Sequence, residues 1–496
     1  MRRRSVLVFV AGAAALWGAW AVAADGVAAV PARARAVQAV GSWGRAIEVP
    51  GLGALNQGGD AIVKEVSCAS AGNCAAGGSY RDGRRHYQGF VAVERNSVWG
   101  RAIEVPGLGA LNKGGNAEVV SVSCASAGNC AAGGDYRASP GHHQGFVVSE
   151  QNGQWGRAIE VPGLGTLNKG GNAGVDEVSC GSAGGCSAGG FYRDRSGFRQ
   201  AFVVSEQNGR WRTAIEVPGT AALNAGHQAE AFSVSCAPAG GCAAGGFYTD
   251  KSRNAQGFVA VQHDGRWGRA IEVPGLGALN AGGGSEDIGG AQVLAVSCAS
   301  AGNCAAGGSY SDSSANVQGF VVIEKNGVWG RASKIAGLAA LNDSGDAYVG
   351  SMSCPSAGNC IAAGDYDYAY DWGFVAVEKN GVWGRAINVP GLGAVATGRY
   401  ADASSVSCAL AGNCAITGGY EDMTKGGSLD QGYVVSEANG RWARAIEMPG
   451  KGGLNKGGEA EVVSVSCGSA GNCAAGGYYA DARGHSQGFV VDEKTR

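Results

Sequence analysis

The stretch "SVSCASAGNCAAGG", residues 121–134, decides the fold, because it recurs nearly letter for letter eight times along the chain. A short β-branched run, a tight turn and a run of small residues read as a hairpin. The paired cysteines are Cys68 and Cys74, Cys124 and Cys130, Cys180 and Cys186, Cys236 and Cys242, Cys298 and Cys304, Cys354 and Cys360, Cys408 and Cys414, and Cys467 and Cys473, at a period near 56 residues. Trp43, Trp99, Trp155, Trp211, Trp267, Trp329, Trp383 and Trp442 keep the same rhythm. A fixed period of this length signals a repeat architecture.

One unit reads as four strands. Strand A is "VVSVSC" (119–124), and strand B is "CAAGGDY" (130–136). After the polar loop "RASPGHHQ", strand C is "GFVVSEQ" (145–151). Asn152-Gly153 is a strong two-residue hairpin signal, and "QWGRAIEVP" (154–162) is strand D. A glycine-rich connection then leads to the next A. Four antiparallel strands per unit predict a propeller blade.

The first ordered segment, "WGRAIEVP" (43–50), is a lone strand D, and the last, "GFVVDEK" (488–494), is a strand C with no D after it. Together they complete one blade. The expected architecture is therefore all-β: an eight-bladed β-propeller with four antiparallel strands per blade, the first strand closing the last blade over residues 43–496. Closure removes the free edges that an open solenoid or separate domains would expose.

The N-terminus "MRRRSVLVFVAGAAALWGAWAVAADG" has three arginines, an apolar stretch from Val6 to Trp20 and the small-x-small triplet Ala21-Val22-Ala23. It reads as a signal peptide over residues 1–24, followed by a linker over 25–42. Arg3-Arg4 resembles a twin-arginine signal, and an uncleaved anchor is the rival reading. Removing 1–24 takes the net charge from −2 to −5. No later stretch is apolar enough to span a bilayer, and no basic run suits nucleic acid. The chain is expected to be secreted or held at the cell surface. In that setting sixteen cysteines imply disulfides, paired within each hairpin. Each closes a loop of about seven residues, worth roughly 2.4 kcal/mol in the chain-entropy model. Zinc is not expected, since the spacing is C-x5-C and no histidine recurs. No cofactor motif is present.

The recurring Trp, the Tyr six residues after the second Cys and the strand-C Phe read as packing. The strand-C and strand-D glutamates read as structural, with Glu150 opposite Trp155 and diagonal to Arg157. The segments "SEQNGQW" (149–155), "SEQNGRW" (205–211) and "HDGRW" (263–267) resemble the Asp-box turn of BNR-type propellers, Ser-x-Asp-x-Gly-x-x-Trp. The spacing is one residue shorter here and Asn mostly replaces Asp. The paired cysteines resemble those of exported actinobacterial propeller repeats. The resemblance implies the fold, and that family's activities range from sialidases to lectins and assembly factors.

Lengths vary only in the D–A and B–C connections, which leave one face of a blade. That face is the expected binding surface, for a glycan or a protein. Candidates are residues that break the repeat: Tyr368, Tyr370 and Trp372 in the sixth B–C loop, Arg84 and His86 in the first, and His142 and His143 in the second. Glu286 and Asp287, in the long insert before Cys298, complete the set. The recurring Tyr-x-Asp acids (Asp82, Asp194, Asp250) are expected to cap turns. No catalytic motif appears. The alternatives to a binding or scaffold role are a sialidase-like glycoside hydrolase and a purely structural surface module.

Overall fold

The computed structural model describes residues 41–238, 240–285, 290–342, 345–367, 371–424 and 429–495. The expected signal peptide and nearly all of the linker lie outside them, as do Tyr368, Tyr370, Glu286 and Asp287.

Eight antiparallel sheets follow one another around a ring, each in the order A-B-C-D. In the second blade, strand A is Ala117–Ser126, B is Asn129–Ser139 and C is His142–Gln151. Strand D is two short pieces, Gln154–Trp155 and Ile159–Glu160. The expected continuous D is broken because Ala158 N turns away from strand C and donates to Pro106 O of the preceding blade at 2.7 Å. The equivalent bond recurs at all eight junctions, from Ala46 N to Pro449 O through to Ala445 N to Pro390 O. Arg157 accordingly lies over Gly107 of the preceding blade, not diagonal to Glu150. Glu150 does pair with Trp155.

All eight cysteine pairs are bonded within their own hairpins, as expected. Cys68 is joined to Cys74, Cys124 to Cys130, Cys180 to Cys186 and Cys236 to Cys242. Cys298 is joined to Cys304, Cys354 to Cys360, Cys408 to Cys414 and Cys467 to Cys473. Eight disulfides fit an oxidising compartment. Among the described residues no helix is long and apolar enough to cross a membrane.

A second ring of bonds runs nearer the axis. The serine before each first cysteine accepts from the backbone N of the next blade's cysteine, as in Cys124 N to Ser67 Oγ at 3.0 Å and Cys180 N to Ser123 Oγ at 3.0 Å. The ring is complete, closing with Cys68 N to Ser466 Oγ at 2.9 Å. "SC" in the repeat is thus a contact between blades.

The last blade takes its outer strand from the first described residues. Trp43 pairs with Glu493, and Ile47 with Val490. One hydrophobic cluster accordingly joins Val49, Leu52 and Val63 to Ala474 and Val490. Each of the eight clusters lies between neighbouring blades, so both faces of every sheet are buried. Alternate strand-B alanines serve opposite neighbours, Ala131 in one cluster and Ala132 in the next. This explains the small residues of strand B.

The D–A connection contains a one-turn helix that propensity alone did not suggest, Leu164–Leu167 in the second blade. After the equivalent helix Leu108–Leu111, buried Asn112 donates to Tyr87 O and Gln88 Oε1, both at 2.9 Å. The D–A connection is thereby fixed onto the start of the preceding blade's strand C. D–A and B–C connections share one face of the ring.

Candidate functional site

The eight repeats superpose on their cysteines, and this shows which positions are free to differ. Seven residues before the first Cys, every unit has Ala, and one residue before it every unit has Ser. Four residues before it, the units carry Lys64, Val120, Asp176, Phe232, Leu294, Gly350, Ser404 and Val463. Six before it stand Ile62, Glu118, Gly174, Glu230, Gln292, Tyr348, Asp402 and Glu461. The A strands neighbour one another all the way round the ring, so these side chains gather about its axis.

The backbone explains the freedom. The A–B pairing shifts register between Val119 and Ser121, so Val120 is an extra, unpaired residue; the same shift brackets Lys64 and Asp176. A bulge of this kind re-aims its side chain. It also drives the carbonyl of the residue two earlier against strand B. A Cβ on Gly134 would lie 2.0 Å from Glu118 O. The glycine four residues after each second Cys is therefore obligatory, while the axial side chain is unconstrained.

Lys64, Glu65, Asp176, Glu177, Phe232, Ser404 and Val463 are among the residues lining a cavity of about 250 Å³ on the axis. On one side Lys64 Nζ meets Glu118 Oε2 at 2.6 Å, and Arg199 Nη2 meets Glu230 Oε2 at 2.6 Å. Arg199 also lies 4.4 Å over the Phe191 ring. Burial, then the Glu118 charge, pushes the Asp135 carboxyl up to about 6, with the His143 Nδ1 atom 3.5 Å away. Burial and the Glu177 charge push Glu65 up to about 8, and burial pushes Glu177 up to about 7.

On the other side lies a network of carboxylates and tyrosines from the sixth to eighth blades. Asp365 accepts from Ala403 N at 2.7 Å and Tyr348 Oη at 2.8 Å. Asp402 accepts from Gly419 N at 2.6 Å and from the Ser404 hydroxyl. Burial and then the Asp402 charge push Asp365 up to about 7. Burial and Asp402 likewise raise Glu461, while burial and the Asp430 charge raise the Tyr400 phenol. Carboxyls that raise one another, with few cations among them, mark an excess of negative potential.

Of the residues expected from sequence, the structure brings two into this region. His143 lies beside Asp135, in strand C rather than in a loop, because strands B and C run on to Ser139 and from His142. Trp372 is the second residue of strand C of the sixth blade, Asp371–Lys379, and bridges to Ala401, next to Asp402. It is half-buried and packs against the clusters on both sides of its blade. Exposed Arg84 and His86 sit in the first B–C loop, where Asp82 Oδ1 accepts both backbone N–H groups at 2.8 and 2.9 Å. Asp194 and Asp250 hold the same turn in their blades. His142, exposed, lies against Gly171. Lys64, Asp176, Phe232, Asp365 and Asp402 were not singled out from sequence. The signal that finds them is the repeat itself, aligned on Cys and read for the columns that vary.

Among the described residues, no group of three or more His, Cys, Asp or Glu is arranged to hold a metal ion. No family model matches the chain, and no curated protein matches it. Among solved structures it is similar to a protein of unknown function from Dyadobacter fermentans, at 10% identity and TM-score 0.37 over 64% of this chain and 93% of that one. A subtype N11 neuraminidase-like protein of A/flat-faced bat/Peru (H18N11) matches at 12% identity and TM-score 0.32, over 64% and 86%. A hypothetical selenium-binding protein from Sulfolobus tokodaii matches at 8% identity and TM-score 0.41, over 76% and 91%. Likenesses this distant carry nothing about chemistry.

Proposed function

We propose that the chain is an exported binding or scaffold propeller that recognises a glycan or protein on its D–A/B–C face, centred on the axial mouth. One observation carries the reading. Eight units that otherwise repeat their core, their disulfides and their inter-blade bonds differ where they meet the axis. A purely structural ring has no use for a different side chain in each blade, whereas an asymmetric ligand on the axis does. The signal-like N-terminus and the eight disulfides support export.

A hydrolytic role finds its best carboxyl in Asp365, but both its oxygens already accept hydrogen bonds within the fold. They are poorly placed to serve a glycosidic bond.

The test is a glycan array, with a chemical cross-linking screen for proteins, run on the oxidised chain and on the triple variant Tyr400→Phe, Trp372→Leu, Glu461→Gln. The reading expects ligands of the wild type to lose at least tenfold in affinity for the variant, with Arg101→Ala on the rim as an unaffected control. Ligands held equally by the triple variant would refute it.

A further inference from the structure

The D–A/B–C face is divided by charge. Taken from the residue after each recurring Tyr to the one before the recurring Gln (Trp372 in the sixth blade), the B–C connections of the first four blades carry nine basic side chains against three acidic ones. Those of the fifth to seventh blades carry six acidic side chains against one basic. The three acids of the basic half are spent inside their own loops. Asp82, Asp194 and Asp250 each accept two turn N–H groups through Oδ1, as in Asp194 with Ser196 N at 2.8 Å and Phe198 N at 3.1 Å. Oδ2 of each accepts from the recurring glutamine of strand C, Gln88, Gln200 or Gln256. The cations face outward. Arg84, Arg85, Arg195, Lys251 and Arg253 are all exposed, and among the described residues none of them pairs with an acid. Two of the five stand against backbone preference. In six blades the fifth residue after the recurring Tyr takes a left-handed φ; it is Gly141, Gly197 and Gly484 in three of them, at φ 77, 79 and 76, and Ala315 in a fourth. Arg85 and Arg253 occupy the same place at φ 67 and 64. Glycine holds this turn with less strain, so the turn does not account for either arginine.

We propose that the B–C loops of the first four blades bind a linear anionic polysaccharide, its carboxylate or sulfate groups on these exposed cations. The proposal goes beyond the axial-mouth reading: it uses the same face but none of the axial side chains. The loops form a continuous arc, because each reaches the D–A connection of the next blade. Tyr87 N donates to Gly115 O at 3.2 Å, His143 N to Gly171 O at 2.9 Å and Arg199 N to His227 O at 3.2 Å. Flat rings stand between the cations: His86 lies against Gly115, His142 against Gly171, and Phe198 stacks on His227 with ring centroids 3.9 Å apart. Such rings offer apolar faces that suit the C–H side of a sugar. The planar fork of a guanidinium is matched to two oxygens of one anionic group. The acidic half of the face repels a polyanion and so confines it to the arc.

The experiment is isothermal titration of the full oxidised chain at pH 7.5 with a galacturonic acid hexamer and with short-chain dextran sulfate. Neutral dextran, sialyllactose and a single-stranded oligodeoxynucleotide are the controls. At least one anionic glycan should bind, weakening as salt rises. Neutral dextran should be silent, and sialyllactose, with its single charge, and the oligonucleotide should bind at least tenfold more weakly. The loop variant Arg84→Ala, Arg85→Gly, Arg195→Ala, Lys251→Ala, Arg253→Gly should lose at least tenfold in affinity. Arg210→Ala with Arg266→Ala, which removes two exposed cations at the C–D end, should lose nothing. Arg85→Gly with Arg253→Gly alone should weaken binding a few-fold without lowering the melting temperature, which separates lost contacts from lost folding. A tighter galacturonate assigns the arc to carboxylates, and a tighter dextran sulfate to sulfates. Silence of both anionic glycans, equal binding of any control, unchanged affinity in the loop variant, or an equal loss in the Arg210 and Arg266 variant would overturn the inference. Glycan binding kept in the loop variant but lost in the triple variant of Tyr400, Trp372 and Glu461 would remove this inference and leave the axial-mouth reading standing.

Discussion

Replacing Val261 with serine should stabilise the propeller, and the reason lies in a buried ring at the C–D end. Each blade has an acid or its amide on strand C opposite the D-strand Trp, as in Glu324 with Trp329. The residue before this position in the preceding blade decides whether the pair is satisfied. Ser149 donates to Glu206 Oε1 at 2.6 Å and accepts from Trp211 Nε1 at 3.0 Å. Ser436 does the same for Glu493 and Trp43, at 2.6 and 2.9 Å. Where that residue is Val261 or Ile323, Glu324 and Glu378 are each only 1% exposed, yet among the described residues neither carboxylate oxygen finds a hydrogen bond, and Trp329 and Trp383 Nε1 find none either. The next residue along is basic wherever that serine is missing: Arg95 ahead of Glu150, His263 ahead of Glu324, Lys325 ahead of Glu378, Lys379 ahead of Glu437 and Lys494 ahead of Glu94. Arg95 reaches Glu150 at 3.1 Å in the same way.

In Val261→Ser, a hydroxyl bond to the carboxylate contributes about 1.5–3 kcal/mol and the Trp bond about 0.5–1.5 kcal/mol. Loss of the half-buried valine methyls costs about 1–1.5 kcal/mol. The net gain is about 1–2 kcal/mol at pH 8, measured by urea denaturation with disulfides intact. Burial raises the Glu324 pKa, with His263 acting the other way. A raised folded pKa means that this group's contribution to wild-type stability is fully present below the unfolded value of about 4.3 and is lost as pH rises through the folded one. Serine serves the ionised form, so its gain must shrink toward pH 4. A gain equal at pH 4 and pH 8, or a loss at pH 8, would refute the reasoning.

Gly134→Ala should cost at least about 3 kcal/mol, or prevent folding, because its Cβ would meet Glu118 O at 2.0 Å. Gly141→Ala, at φ +77 with nothing within 4 Å, should cost only about 1–2 kcal/mol in the same denaturation assay. Tyr136→Phe removes a 3.0 Å bond to Glu160 and should cost about 1–2 kcal/mol. Tyr310→Phe should cost less, since Lys334 occupies the place of that glutamate. Deleting residues 41–50 leaves the last strand C as an open edge and should produce concentration-dependent association by light scattering. A monodisperse monomer of unchanged stability would contradict the closure.

The blades were legible because their signals are local. Asn152 and Gly153 take φ 49 and 81, the turn that their identity prescribes. Cys124 faces Cys130 because a short hairpin leaves it no other partner. The lone first strand and the unpaired last one implied the closure. The features that were missed arise from the ring rather than the hairpin. Ala158 leaves strand C for a carbonyl one blade away, which splits strand D. Phe232 and Asp176 look like ordinary strand residues until the register shift turns them to the axis. Trp372 stood out as an aromatic in a polar loop, yet half of it is packing between blades. Loop variation pointed to the D–A/B–C face, whereas the columns that vary most lie inside the strands.

Crystals of the oxidised chain soaked in a library of small polar fragments test the central claim most directly. The account predicts bound fragments on the axis, touching residues such as Asp176, Phe232 or Glu461, at a higher frequency than anywhere on the rim. Fragments gathered in the grooves between the outer strands, with the axis empty, would contradict it.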